Sequence, residues 1–200
     1  MNSRFFNIND IDQEPVEDQQ EDKSGILTEK FLAIHTERIE NIKKLTCGIP
    51  QDGKIAFLWT VNSFNAFTFI PYIISECGII DELIISTYSI NIRIIDALIR
   101  LIDRGKILQV DIFISDSIKS RIPKVYEHLS AQVEKRGSII RVHYAWNHSK
   151  IALIRSGDQF FDVEGSGNWG ENAQHEQYIF LNSRSVFEFR KNEILHGTDA

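Results

Sequence analysis

The sequence predicts an α/β fold: a mixed, mostly parallel sheet with helices on both faces. Three observations lead there. Between residues 54 and 146, apolar runs of strand length alternate with segments of helical periodicity. Glycines stand where the helical segments should stop, at Gly78, Gly105 and Gly137. Strand–helix–strand order requires right-handed crossovers, which place helices over a sheet covered on both sides.

The elements follow in order. Residues 1–24 are polar and acidic: Asp10, Asp12, Glu14, Glu17, Asp18, Glu21 and Asp22 come with no basic residue among them. Such a run buries too little apolar surface to offset its ordering entropy, so a disordered tail is expected, with a domain over residues 25–200. A solubilising tail is the simpler reading; one that covers a basic site or docks a partner is the alternative. Leu27, Phe31, Ile34, Ile39, Ile42 and Leu45 recur at helical spacing, and Cys47-Gly48-Ile49-Pro50 ends that helix.

Residues 54–60 (KIAFLWT) read as the first strand, and residues 64–77 as a helix in which Pro71 predicts a kink or a start. Residues 83–87 (LIIST) are the second strand. Residues 91–104 form a helix with Ile92, Ile95, Leu98, Ile99 and Ile102 on one side. Residues 108–115 (LQVDIFIS) are the third strand, residues 117–136 are mainly helical, and residues 139–146 (IIRVHYAW) are the fourth strand. A hairpin follows, turning at Ser156-Gly157-Asp158. Residues 169–177 read as loop or short helix, 178–181 as a strand and 186–195 as a helix.

Composition excludes some classes. The chain of 200 residues is 42% hydrophobic and 25% charged, ordinary for a globular protein. Its net charge of −6 argues against coating nucleic acid by bulk charge, though not against a local basic cleft. Cys47 and Cys77 have neither metal-ligand nor disulfide-framework spacing, and read as reduced thiols of a cytoplasmic protein. No signal peptide is visible, and no apolar run reaches the roughly 20 residues of a membrane span, so no membrane insertion is expected.

The chemistry concentrates in one hairpin. His148 and Lys150 lie two apart before Ile151-Ala152-Leu153-Ile154, so on extended chain they share a face. Gly165-Ser166-Gly167-Asn168 follows Phe160-Phe161-Asp162-Val163 on the return strand. Pairing brings Ser166 and Asn168 toward His148 and Lys150. A nucleophile candidate, a cation and neutral hydrogen-bonding groups together suit a phosphoryl group. Taken singly, His148 would more often be a structural histidine and Lys150 a solvated charge; their joint occurrence with the glycine-serine segment carries the reading.

His148-x-Lys150 and Gly165-Ser166-x-Asn168 resemble the signature of the phospholipase D superfamily: His-x-Lys, four residues, Asp, six residues, Gly-Ser-x-Asn. The sequence departs at the Asp, where Arg155 stands. Asp158 precedes Gly165 by the family's six-residue gap but lies in the turn, and is read as a turn residue first and a displaced motif aspartate second. The resemblance covers residues 50–195 and implies a phospholipase D-like half-domain. The motif occurs once, so the resemblance implies a homodimer with both copies meeting at a two-fold axis.

The resemblance also implies a mechanism without metal or cofactor. His148 of one subunit would form a phosphohistidine, and its counterpart would act as acid and then base. Free histidine titrates near pH 6.5, which permits both roles. Lys150 and Asn168 would hold the non-bridging oxygens, with Ser166 adding a hydrogen bond. Gly165 borders the same spot. Asn172 and Glu176 are assigned to a supporting shell, Glu176 orienting the histidine through its second ring nitrogen.

Trp146 and Trp169 flank the two motif pieces. Core packing is the commoner use of tryptophan; stacking a base is the alternative, and it makes Trp169 a substrate-binding candidate. His143 reads as structural or exposed. Lys119, Arg121 and Lys124 read as a solvated helix face rather than a groove. The function expected is a phosphodiesterase acting on DNA or RNA. The alternatives are a noncatalytic protein that binds nucleic acid or a protein partner, motivated by Arg155, and a lipid phosphodiesterase, for which no amphipathic anchor is evident.

Overall fold

The computed structural model describes residues 37–61, 64–170 and 175–196, all within one compact unit, His35–Ala200. The acidic tail, the start of the first helix and the boundary expected at residue 25 lie outside the described residues. Helix α1 covers residues 37–46 of the described chain and stops where Cys47 and Gly48 take positive φ, 53° and 108°.

Seven strands follow: β1 (Ile55–Val61), β2 (Glu82–Thr87), β3 (Val110–Ser115), β4 (Ile140–Ala145), β5 (Ile151–Ser156), β6 (Gln159–Gly165) and β7 (His175–Asn182). They form one sheet in the order β1-β7-β6-β5-β2-β3-β4. The helices between and after them are α2 (Phe69–Cys77), α3 (Ile92–Asp103), α4 (Ile118–Arg121), α5 (Pro123–Lys135) and α6 (Arg184–His196).

The sheet is mixed, as the sequence predicts, but its balance differs. Only β2–β3 and β3–β4 are parallel. The other neighbours, β1–β7, β7–β6, β6–β5 and β5–β2, are antiparallel. The difference arises because β1 does not join β2. It crosses to the far edge and pairs with β7, from Ile55 opposite Leu181 to Val61 opposite His175. Apolar density in a run does not reveal which strand will be its neighbour.

Prolines shape two helices. Asn65 caps a 3-10 turn (Ala66–Thr68) that leads into α2, placing Pro71 in the first turn, where its missing N–H costs nothing. The helix expected over 117–136 is divided because Pro123 opens α5 as a new helix. Asn91 caps α3 by accepting from the Ile94 N–H at 2.9 Å. The strand expected at 178–181 begins earlier, at His175, because its pairing with β1 extends that far.

Each strand sends alternate residues to opposite faces. Leu83 and Ile85 of β2, Ile112 and Ile114 of β3, and Phe161 and Val163 of β6 enter the larger core beneath α2, α3 and α5. Ile84, Phe113 and Leu153 point the other way, onto Phe187 of α6. Burying one such side chain fully stabilises the fold by about 1.5–3 kcal/mol. Helices thus lie on both faces, but α6 covers the centre of the second face and not β1. Phe57 and Trp59 remain 74% and 64% exposed there.

Candidate active site

The parallel strands β2, β3 and β4 end together, and His148 lies three residues beyond the end of β4. Open α/β sheets place ligands beyond the carboxyl ends of their strands. The loop is held there by Asn147. Its Nδ2 donates to Ser86 Oγ at 2.9 Å, to the Phe113 carbonyl at 2.9 Å and to the Thr87 carbonyl at 3.4 Å. Its Oδ1 accepts from the Ser149 N–H at 2.9 Å and the Ser149 hydroxyl at 2.8 Å. The Ser86 and Ser149 hydroxyls bond each other as well. One asparagine therefore ties the histidine loop to the ends of two strands.

Lys150 curls back on His148. Its ammonium lies 3.2 Å from Nδ1 and donates to the His148 carbonyl at 2.8 Å. With the ammonium donating to Nδ1, the imidazole hydrogen sits on Nε2. The ring also lies 4.9 Å from that of Tyr88, and the Arg121 guanidinium stands 4.4 Å over the far ring's centre. Arg121, expected on a solvated helix face, thus lies one aromatic ring from His148. Asn147, Ser86 and Tyr88 were not singled out by sequence reasoning. Only Asn147 carried a signal, its place next to His148.

Pairing of β5 with β6 delivers the second motif piece. The Gly165 N–H donates to the Lys150 carbonyl at 3.1 Å, extending the ladder past Ile151–Glu164. A Cβ at Gly165 would stand 2.4 Å from the Tyr178 ring and 2.6 Å from the Gln177 carbonyl, so only glycine fits. The glycine acts here through close packing. Ser166 follows, donating its hydroxyl to Glu176 and accepting from the Gln177 N–H at 3.2 Å.

His148, Lys150, Gly165 and Ser166 all border one open cleft of about 830 Å³. The other site residues of the sequence reading fare differently. Asn168 is half-buried, outside the cleft lining, with Oδ1 enclosed and without a hydrogen-bond partner among the described residues. Glu176 is buried and takes its hydrogen from Ser166, not from the imidazole of His148. It therefore supports the glycine-serine turn where orientation of the histidine was expected. Trp169 is 1% exposed and packs against Phe67, so it offers no face to a base and belongs to the core. Its backbone pins the segment, donating to Ser89 O and accepting from Asn91 N, both at 3.1 Å. Asn172 lies outside the described residues.

The position where the resemblance expects Asp is at the other end of β5. Arg155 there pairs with Asp81 at 3.4 Å and Glu82 at 3.7 Å. Asp81 also accepts from the Gly157 N–H at 2.7 Å, fixing the hairpin tip, where Asp158 is exposed. Five residues of strand, about 16 Å, separate Arg155 from Lys150. Between the ends, Asp162 is wholly buried, and among the described residues neither carboxylate oxygen is hydrogen-bonded. Burial, with the Glu164 charge beside it, pushes its carboxyl up to about 8 against the opposing pull of Arg190. Glu164 also borders the cleft and is held by Arg190 at 2.5 and 3.1 Å.

Among the described residues no three His, Cys, Asp or Glu side chains gather as a metal site, and no helix is long and apolar enough to cross a membrane.

No family model matches the chain, and no curated protein matches it in sequence. Among solved structures it is similar to polyphosphate kinase from Porphyromonas gingivalis, with a TM-score of 0.52 and 20% identity over 72% of this chain and 26% of that one. It is similar also to phosphatidylserine synthase from Haemophilus influenzae Rd KW20, at 13% identity over 70% of this chain and 37% of that one. The TM-score in that second case is 0.47. This chain spans about a quarter of the kinase's length, and at such identity the likeness concerns the fold alone. In fold, the protein is a mixed α/β domain similar to part of that polyphosphate kinase.

Proposed function

We propose that the protein is a metal-independent phosphodiesterase, a nuclease working through a phosphohistidine on His148 in a homodimeric site. The observation that supports this best is the contact of Lys150 with His148, 3.2 Å from ammonium to Nδ1, on a cleft that Ser166 shares. A cation, an imidazole and a hydroxyl on one open cleft suit a phosphodiester better than a neutral ligand.

In the first step the imidazole nitrogen attacks phosphorus; the N–P bond forms as the P–O bond to the leaving group breaks. The leaving oxygen takes its proton from the same histidine of a second copy. In the second step that histidine takes a proton from water, whose oxygen displaces the imidazole from phosphorus. Lys150 links the two states. While it donates to Nδ1, the ring is neutral with its hydrogen on Nε2; the copy that protonates the leaving oxygen is the imidazolium, with a hydrogen on each nitrogen, and returns to neutral imidazole as it does so. A phosphate that draws the ammonium away frees the ring for the nucleophilic tautomer.

The noncatalytic alternative rested on Arg155, and its ion pairs with Asp81 and Glu82 put that departure about a strand's length from the cleft. Nothing the reaction uses is removed by it.

The test is incubation with single- and double-stranded DNA and RNA in EDTA, beside His148→Ala. Cleavage by the parent alone, with an acid-labile phosphoryl label trapped on His148, is the expected result. Equal cleavage by both proteins, or none at any pH, overturns it. Light scattering addresses the second copy: a strict monomer at micromolar concentration removes the two-histidine scheme.

A further inference from the structure

We propose that Phe57 and Trp59 form a stacking platform for the unpaired bases of a single-stranded polynucleotide, leading into the His148 cleft. The inference rests on the phosphodiesterase reading and names its substrate class. Strand β1 sends Leu58 and Thr60 into the core and Phe57 and Trp59 to the face that α6 leaves open. Both rings border the same cleft as His148, Lys150 and Ser166. Large exposed aromatics on an edge strand are an aggregation hazard unless they serve a contact.

Several features favour bases as that contact. Residues two apart on a strand stand about 6.8 Å from each other, leaving room for a flat ring against each. Trp59 does not swing freely: its Nε1–H donates to His175 Nδ1 at 3.3 Å, and the two rings lie 5.9 Å apart. Gln177, directly opposite Trp59 in the β1–β7 register, is exposed on the same cleft. Its amide supplies a donor and an acceptor of the kind that read base edges. Phosphate-binding groups at one end and rings with an amide at the other match the alternation of charge and π-face in a nucleotide chain. A duplex cannot use this arrangement, because its bases are stacked on one another and show only their edges.

The experiment measures binding by fluorescence anisotropy on a His148→Ala background, which separates it from cleavage. The probes are a labelled oligothymidylate, a strand of equal length built of stable abasic residues, and a blunt duplex. Expected is binding of oligothymidylate at least roughly 10-fold tighter than the abasic strand. That preference should be lost in Trp59→Ala, reduced in Phe57→Ala and largely kept in Trp59→Phe, with abasic binding unchanged throughout. Equal affinity for base-bearing and abasic strands, or no effect of Trp59→Ala, overturns the platform. So does conversion of a dimer to a monomer by these variants, which would make the aromatic row a subunit seam. Binding to phosphatidylglycerol vesicles that the variants abolish would overturn it too. Cleavage of oligothymidylate by protein retaining His148 reads the phosphodiesterase proposal separately. Its absence sinks that proposal while leaving the base preference measurable.

Discussion

The two ends of the β5–β6 hairpin differ in what they leave unsatisfied. At the closed end, Arg155 pairs with Asp81 and Glu82, Glu82 pairs again with Lys191 at 2.8 Å, and Asp81 also accepts from the Gly157 amide, while Asp158 at the tip is exposed. At the open end, Lys150 is bonded, among the described residues, to its neighbour His148, above an open cleft. The closed end is built to hold two strands in register. The open end keeps donors available. A substitution therefore means different things at the two ends, and Arg155 falls at the closed end, where it answers Asp81 and Glu82 about a strand's length from the cleft.

Mutations can break this contrast or sharpen it. The largest expected effect is on activity: His148→Ala lowers diester cleavage by about 10³-fold or more, whereas Arg155→Ala leaves it essentially unchanged. Comparable losses from both would show that the closed end reaches the chemistry.

Next in size is a pH effect centred on Asp162, midway along the hairpin. Its folded carboxyl is raised to about 8. Unfolded, it titrates near 3.9. Between those values the folded chain holds a proton that the unfolded chain has lost, so stability falls as pH rises from about 4 to about 8 and levels off above. The limiting slope is about 1.4 kcal/mol per pH unit. Denaturant melts across this range should show the fall, and Asp162→Asn should flatten it. An unchanged slope in the variant would place the cause elsewhere.

Gly165→Ala comes third. The added methyl would meet the Tyr178 ring and the Gln177 carbonyl, and overpacking of this kind costs about 1–3 kcal/mol. Because Ser166 follows directly, activity should drop along with Tm. Pairing Gly165→Ala with Tyr178→Leu, which gives the methyl room, should recover part of both.

The smallest effect is the most pointed. Arg155→Asp restores the motif residue in sequence but places it beside Asp81 and Glu82. Stability should fall by about 1 kcal/mol, as these groups are partly solvated, and cleavage should not improve. A gain in activity would mean that the aspartate serves the site through the strand.

Much of this was legible before folding. The hairpin is local, so a period of two, a Ser-Gly-Asp turn and the spacing from His148 to Ser166 suffice to bring the cation, the imidazole and the hydroxyl to one end. The helix ends at Gly78 and Gly105 were readable because glycine takes positive φ at little cost, 90° and 65° here. The site's surroundings were not readable. Tyr88 and Arg121 come from the loop after β2 and from α4, and each looks like an ordinary surface residue in its own segment. Trp169 and Trp59 were indistinguishable as letters; one is core and the other exposed because of what lies over each.

What the sequence alone determined, then, is whatever depends on neighbours along the chain: strand and helix period, caps, turns and the two-part motif. Tertiary structure decided which strand became the sheet's edge. Pairing of β1 with β7 joins segments more than a hundred residues apart, and only the competition among strands for partners selects it. That one choice made the first strand an aromatic border of the cleft.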